Sequence, residues 1–170
     1  IGAYVLDTKS GEMKAILAKK TILATGGLGQ VFQNSTNQPS MVGHGVAMGK
    51  RVGARLIDLE YVQFHPTVFF RKNCQRFLVS EAVRGEGGVL INSRGKAFMD
   101  TIHPMKSLAP RDIVARAINR ELIANGDLCV YIDLSSKSPD FIKDRFPMIY
   151  ERSLECGVDI SKDPIPVAPA

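Results

Sequence analysis

Apolar positions recur along this chain with two different periods, and the changes of period divide it into elements. Ala3-Tyr4-Val5-Leu6 is a short apolar run, Thr8-Lys9-Ser10-Gly11 supplies turn residues, and Met13 to Leu17 returns, which predicts a β-hairpin. Lys20-Thr21-Ile22-Leu23-Ala24-Thr25 reads as a buried strand stopping at the tight turn Gly26-Gly27-Leu28-Gly29. From Ser40 to Ala54 the apolar positions Val42, Val46, Met48 and Val52 follow helical spacing, with Gly43, Gly45 and Gly49 allowing close approach of backbone or ligand. Leu56 to Phe70 is a second strand-like block. It is interrupted at His65-Pro66-Thr67, because Pro66 has no N–H to give to a ladder.

Further along, Phe77 to Gly85 predicts a strand end running into a short helix, and Val89 to Met99 a hairpin around Asn92-Ser93-Arg94-Gly95. Pro110 opens a helix whose apolar face is Ile113, Val114, Ala117, Ile118, Leu122 and Ile123, and Asn125-Gly126 stops it. Leu128 to Leu134 is a strand. Ser138-Pro139-Asp140 caps a helix that Pro147 interrupts and Cys156-Gly157 ends. Pro164 to Ala170 reads as an extended, proline-rich strip that closes no element. Strands and helices mix without a strict βαβ repeat, so the second part is placed in the α+β class. The opening run reads as mid-sheet, and the chain is expected to be cut from something longer.

Composition adds exclusions. A hydrophobic fraction of 45% over 170 residues is that of an ordinary globular chain, with no apolar run approaching the roughly 20 residues that span a bilayer. The net charge of +5 is scattered, with Asp and Glu interspersed and no basic stretch interleaved with aromatics, so no nucleic-acid partner is expected. Cys74, Cys129 and Cys156 lie far apart in sequence without a CxxC spacing, which suggests neither a disulfide framework nor a metal site and makes a cytoplasmic setting the default.

Candidate chemistry gathers at two places. His65-Pro66-Thr67 breaks a strand and could present polar groups to a ligand, or His65 could simply cap a turn. Arg111 falls in the first turn of a helix, where guanidinium and helix dipole together favour a bound carboxylate; the alternative is a salt bridge to Asp112 or to a nearby loop.

Four segments in order, ATGGLGQVF, GVAMGKRVGARLIDLEYVQFHPT, SEAVRGEGG and LAPRDIVARAI, resemble the succinate dehydrogenase, fumarate reductase and L-aspartate oxidase flavoprotein family. Within it, Pro110 in the arginine-bearing helix and the stretch Phe146-Pro147-Met148-Ile149-Tyr150-Glu151 are closer to the aspartate-oxidising branch. The resemblance implies a partial FAD-binding domain over residues 1–57 and a substrate-capping domain over 58–170. Its fold would be the α+β capping domain of a fumarate reductase-type flavoprotein, with a β/α segment of the flavin domain attached.

Carried over by motif, Arg111, His65 and Glu81 are the expected catalytic residues. His65, Thr67, Ser80, Glu81 and Arg84 would line the substrate pocket; Thr67 as a turn-stabilising hydroxyl and Arg84 in a surface ion pair are the bland alternatives. Thr25, Gly26, Gly27 and His44 would touch FAD. His44 stands where the family usually has Asp, and the GxGxxG fingerprint is absent from this sequence, so weak or no FAD binding by this chain alone is expected. The implied reaction oxidises L-aspartate to iminoaspartate with oxygen or fumarate as acceptor, the first step towards quinolinate and NAD, with quinolinate synthase as a candidate partner. A fumarate reductase or succinate dehydrogenase flavoprotein segment and a non-catalytic dicarboxylate- or partner-binding module are the competing readings.

Overall fold

A computed structural model describes residues 2–170, and it divides into two compact units. The first holds residues up to Gln33 together with Asn37–Leu59; the second holds Asn34–Thr36 and Glu60–Ala170.

In the first unit β1 (Gly2–Leu6) and β2 (Met13–Leu17) pair antiparallel, Gly2 opposite Leu17 and Leu6 opposite Met13. The turn forms because the Asp7 carboxylate accepts from the amides of Lys9 and Ser10 and pairs with Lys14 at 2.7 Å, while Gly11 takes a left-handed φ of 74°. The buried strand expected at residues 20–25 does not form. A strand needs a neighbouring ladder, none pairs with it among the described residues, and Ile22 is 91% exposed. The segment lies instead against α1 (His44–Arg51), whose glycines make room for it: a Cβ on Gly45 would sit 1.9 Å from the Thr25 hydroxyl. The helix is shorter than its apolar pattern, since Gly43 and Gly53 turn left-handed at its two ends.

The second unit is built on a four-stranded antiparallel sheet in the order β3-β6-β5-β4, from β3 (Val68–Phe69), β4 (Val89–Ile91), β5 (Val130–Asp133) and β6 (Ile165–Ala168). Most of the strand expected from Leu56 to Phe70 is absent; only β3 remains, directly after the His65-Pro66-Thr67 break. The strip Pro164–Ala170 is likewise corrected, for it supplies β6, an interior strand buried along its whole length. Pro166 is tolerated there because its missing N–H faces the β3 side, where Phe70 donates to its carbonyl at 2.9 Å and the β3 ladder ends. The hairpin expected from Val89 to Met99 forms only its first strand. Asn92 accepts from the amides of Arg94 and Lys96 to make the turn, but the chain then enters a 3-10 turn at Phe98–Thr101, leaving β5 as the partner of β4.

The remaining helices are α2 (Glu81–Gly85), α3 (Arg111–Asn125), α4 (Pro139–Arg145) and α5 (Pro147–Glu155). Their limits follow the sequence signals: Gly126 closes α3 in the left-handed conformation, and the Ser138 hydroxyl accepts from the Phe141 amide at 3.2 Å to cap α4. Val114, Ala117 and Ile118 at helical spacing bury one face of α3 in a core shared with Val130 and Ile132 of β5 and with Leu90, Met99 and Ile142. Phe69 and Phe77 stack at 4.6 Å between ring centres and fix the β3 end of that core. The packing holds the N-termini of α2 and α3 in place, and these carry the candidate chemistry.

Candidate active site

Glu81 and Arg111 are the first residues of α2 and α3. Each position follows from local chemistry: the Ser80 hydroxyl accepts from the Ala82 amide at 3.2 Å to start α2, and Pro110, at φ −50° and ψ 145°, turns extended chain into α3. The two helix starts bring their side chains together, Arg111 Nε donating to Glu81 Oε2 at 2.8 Å. Asp112 does not compete for Arg111, because it pairs with Arg116 on the same helix. The contact holds the Glu81 carboxyl below its ordinary range, first through the Arg111 hydrogen bond. At 42% and 45% exposed, both side chains remain open to a ligand.

Gln63, which the motif reading did not single out, brings its side-chain oxygen to 3.5 Å from Arg111 Nη1. The signal was available: in extended chain, residues two apart share a face, so a strip presenting His65 also presents Gln63. Arg111 thus spends one nitrogen on Glu81 and touches Gln63 with another, leaving guanidinium donors for an incoming carboxylate.

His65 is half-buried and anchored at both backbone atoms, its amide donating to the Ala170 carbonyl at 2.8 Å and its carbonyl accepting from the Ala170 amide at 3.1 Å. Its Nδ1 accepts from the Thr67 amide at 3.3 Å. That contact selects the neutral tautomer with the proton on Nε2, which leaves Nε2–H as a donor. Burial, and then the positive charges of Arg111 and Arg84, push the imidazole below its ordinary value and keep it neutral at pH 7. The Thr67 hydroxyl is buried and donates to the Val79 carbonyl at 2.9 Å, so its role is to fix the strip that presents His65.

Arg84 is 1% exposed, which rules out the surface ion pair considered for it. One guanidinium nitrogen donates to the Ser107 carbonyl, while Nε and Nη2 have no partner among the described residues. A buried guanidinium with idle donors is costly, and it marks where an acceptor or ordered water completes the site. Its field reaches both Glu81 and His65.

The flavin candidates belong to the first unit. Gly26 is left-handed at φ 80°, Gly27 accepts from the Gly43 amide at 3.2 Å, and the Thr25 hydroxyl fills the space over Gly45. His44 is exposed at the first position of α1, whose N-cap Gly43 provides no side-chain acceptor, so the first amides of the helix are left for a polar ligand. Backbone amides at the start of α1, beside the Gly26-Gly27 turn on which the Met41 side chain rests, are groups of the kind that hold one edge of a large polar cofactor such as FAD. Among the described residues there is no cluster of His, Cys, Asp and Glu suited to a metal, and no helix is long and apolar enough to cross a membrane.

The chain is 50% identical to L-aspartate oxidase 1 of Ralstonia nicotianae over 99% of its length and 46% identical to the L-aspartate oxidase of Pseudomonas aeruginosa over 100%. It spans 32% of the length of each. Among solved structures it is similar to a quinol-fumarate reductase with menaquinol molecules, at a TM-score of 0.82 and 32% identity over 94% of this chain and 30% of that one. It is also similar to Sdh1 of Mycobacterium smegmatis, at 0.72 and 41% over 99% and 29%. The α+β fold with two small sheets is therefore similar to the matching part of these flavoproteins. The model of the FAD binding domain family matches residues 1–170, and the chain belongs to that family.

Proposed function

We propose that this chain is a segment of an FAD-dependent oxidoreductase that converts L-aspartate to iminoaspartate, with oxygen or fumarate as acceptor. In this reading residues 1–57 are part of the flavin domain and 58–170 are the substrate-capping domain. The observation that carries the proposal is the convergence of Arg111, Glu81, Gln63 and a neutral His65 on one open face, beside the buried cation Arg84.

Bound FAD supplies the two-electron acceptor; the residues of this chain place the substrate. His65 donates through Nε2–H to one carboxylate of aspartate, and the free edge of the Arg111 guanidinium meets charge near the reacting carbon. A guanidinium is not available as a base near pH 7, so in amine oxidation Arg111 acts as an electrostatic clamp held by Glu81. In the fumarate-reducing direction, Glu81 and Arg84 form the polar path that replaces a proton delivered at Arg111. Ser80 supports the pocket through its cap on α2. Thr25, Gly26, Gly27 and His44 would hold an edge of FAD, with the rest of its contacts made by other parts of the full-length polypeptide and weak binding by this segment alone. A cytoplasmic setting and an association with quinolinate synthase follow from the same reading.

The similarity to fumarate reductase and succinate dehydrogenase structures supports a second reading in which succinate is the substrate. Anaerobic mixing of the full-length, FAD-loaded protein with each dicarboxylate separates the two: bleaching of the flavin by L-aspartate supports the oxidase, and bleaching by succinate alone transfers the protein to the other branch.

The depressed His65 pKa gives an expected pH dependence. Its ordinary value is 6.5 and its folded value is lower, so the folded protein binds fewer protons than the unfolded chain as pH falls through 6.5. The contribution of neutral His65 to stability is therefore full above pH 6.5 and is lost between that value and the lower folded one. The unfolding midpoint of the wild type is expected to decline more steeply below pH 6.5 than that of His65→Gln. Parallel declines in a urea titration at several pH values would count against it.

A further inference from the structure

The three cysteines are free thiols, all half-buried, and the fold brings together two that are distant in sequence. Cys74 closes a turn, its amide donating to the Arg71 carbonyl at 3.2 Å, and Cys156 caps the end of α5. Arg71 fastens these places to one another, its Nη1 donating to the Gly157 carbonyl at 3.0 Å. Both cysteines pack on the edge of the same core, near enough for the Cys74 thiol to help push the Cys156 thiol up. Cys129 instead lies beside Tyr131, with burial pushing its thiol up.

We propose that Cys74 and Cys156 form an oxidative modification site in which hydrogen peroxide drives an intrachain disulfide joining the 71–74 turn to the end of α5. The sulfur of Cys74 attacks one peroxide oxygen, an S–O bond forms, the O–O bond breaks and water leaves, giving a sulfenic acid. The Cys156 sulfur then attacks the Cys74 sulfur, the S–O bond breaks and a second water leaves. Two thiols have lost two electrons and two protons to one peroxide, and the balance is closed. The proposed function supplies the oxidant, since two-electron reduction of oxygen yields hydrogen peroxide; to that extent the site's physiological role rests on that reading. Burial and the Cys74 contact push Cys156 up to about 11, which keeps it protonated near pH 7 and makes the closing step slow, whereas the nearby Arg71 charge opposes this.

The test uses the full-length protein. In the first arm, hydrogen peroxide is added without aspartate, free thiols are alkylated after denaturation, and peptides are mapped by mass spectrometry. A Cys74–Cys156 cross-linked peptide, about 2 Da lighter than its reduced components, supports the site, with Cys129 still alkylated. The thermal midpoint should rise by about 5 °C as the long loop is closed. Cys156→Ser should strand Cys74 as a sulfenic acid that dimedone traps. Full alkylation of both cysteines after peroxide, over-oxidation without cross-linking, or linkage to Cys129 overturns the proposal. The second arm is aerobic turnover with L-aspartate, with and without catalase. Disulfide in the first arm but not in the second leaves the site standing and counts against the peroxide-producing reaction instead.

Discussion

Under the proposed function, replacing Arg111 by Ala in the full-length protein is expected to lower kcat/KM for L-aspartate by about 10³-fold or more while leaving the fold intact. The two halves of this expectation have separate causes. The Arg111–Glu81 pair is nearly half exposed on both sides, so its contribution to stability is at most about 1 kcal/mol and the variant should unfold within a degree or two of the wild type. In the proposed function the loss in activity comes from the charge that Arg111 places near the reacting carbon. Lys should not restore it. An ammonium keeps the charge but cannot hold Glu81 through Nε while offering a second nitrogen edge to a carboxylate. Steady-state kinetics on Arg111→Ala and Arg111→Lys, with flavin content and thermal midpoint measured on the same samples, decide the matter. Retention of more than about a tenth of kcat/KM by the Lys variant would reduce Arg111 to a point charge, and wild-type kinetics in the Ala variant would remove it from the site.

Much of this arrangement was legible in the sequence where the signal is local. The caps at Ser138 and Gly126, the helix opened by Pro110 and the break at His65-Pro66-Thr67 each depend on a few adjacent residues, and the structure places them as read. Misreadings came where pairing decides. Residues 20–25 have strand composition but no ladder partner among the described residues, whereas Ile165-Pro166-Val167-Ala168 looks unsuited to a sheet interior yet enters one, because its missing donor faces the point where β3 stops. In the site, Arg111, Glu81 and His65 carry motif signals. Gln63 carries only its spacing from His65, and the burial of Arg84 depends on the loop that brings Ser107 over it, which no local pattern announces.

Gly88→Ala is expected to destabilise the protein by about 3 kcal/mol and to impair catalysis without touching any site residue. The position is not strained in φ; the constraint is space. A Cβ there would lie 2.7 Å from the Val83 carbonyl oxygen and 2.7 Å from a methyl of Ile132. Neither neighbour yields cheaply, since the Val83 carbonyl accepts the Gly88 amide at 3.0 Å and Ile132 is fully buried in β5. Relief therefore requires α2 to move off the sheet, and α2 carries Glu81 at its start and Arg84 within it. Gly85→Ala supplies the contrast: it lies in the same helix with nothing within 4 Å of the added carbon, so it should be neutral or stabilising by up to about 1 kcal/mol. Urea midpoints for both variants, compared with the rate of flavin reduction by L-aspartate, separate the two effects. If Gly88→Ala lost stability but kept its reduction rate, α2 could shift without moving Glu81 relative to Arg111, and the site would be held by that ion pair rather than by the packing beneath it.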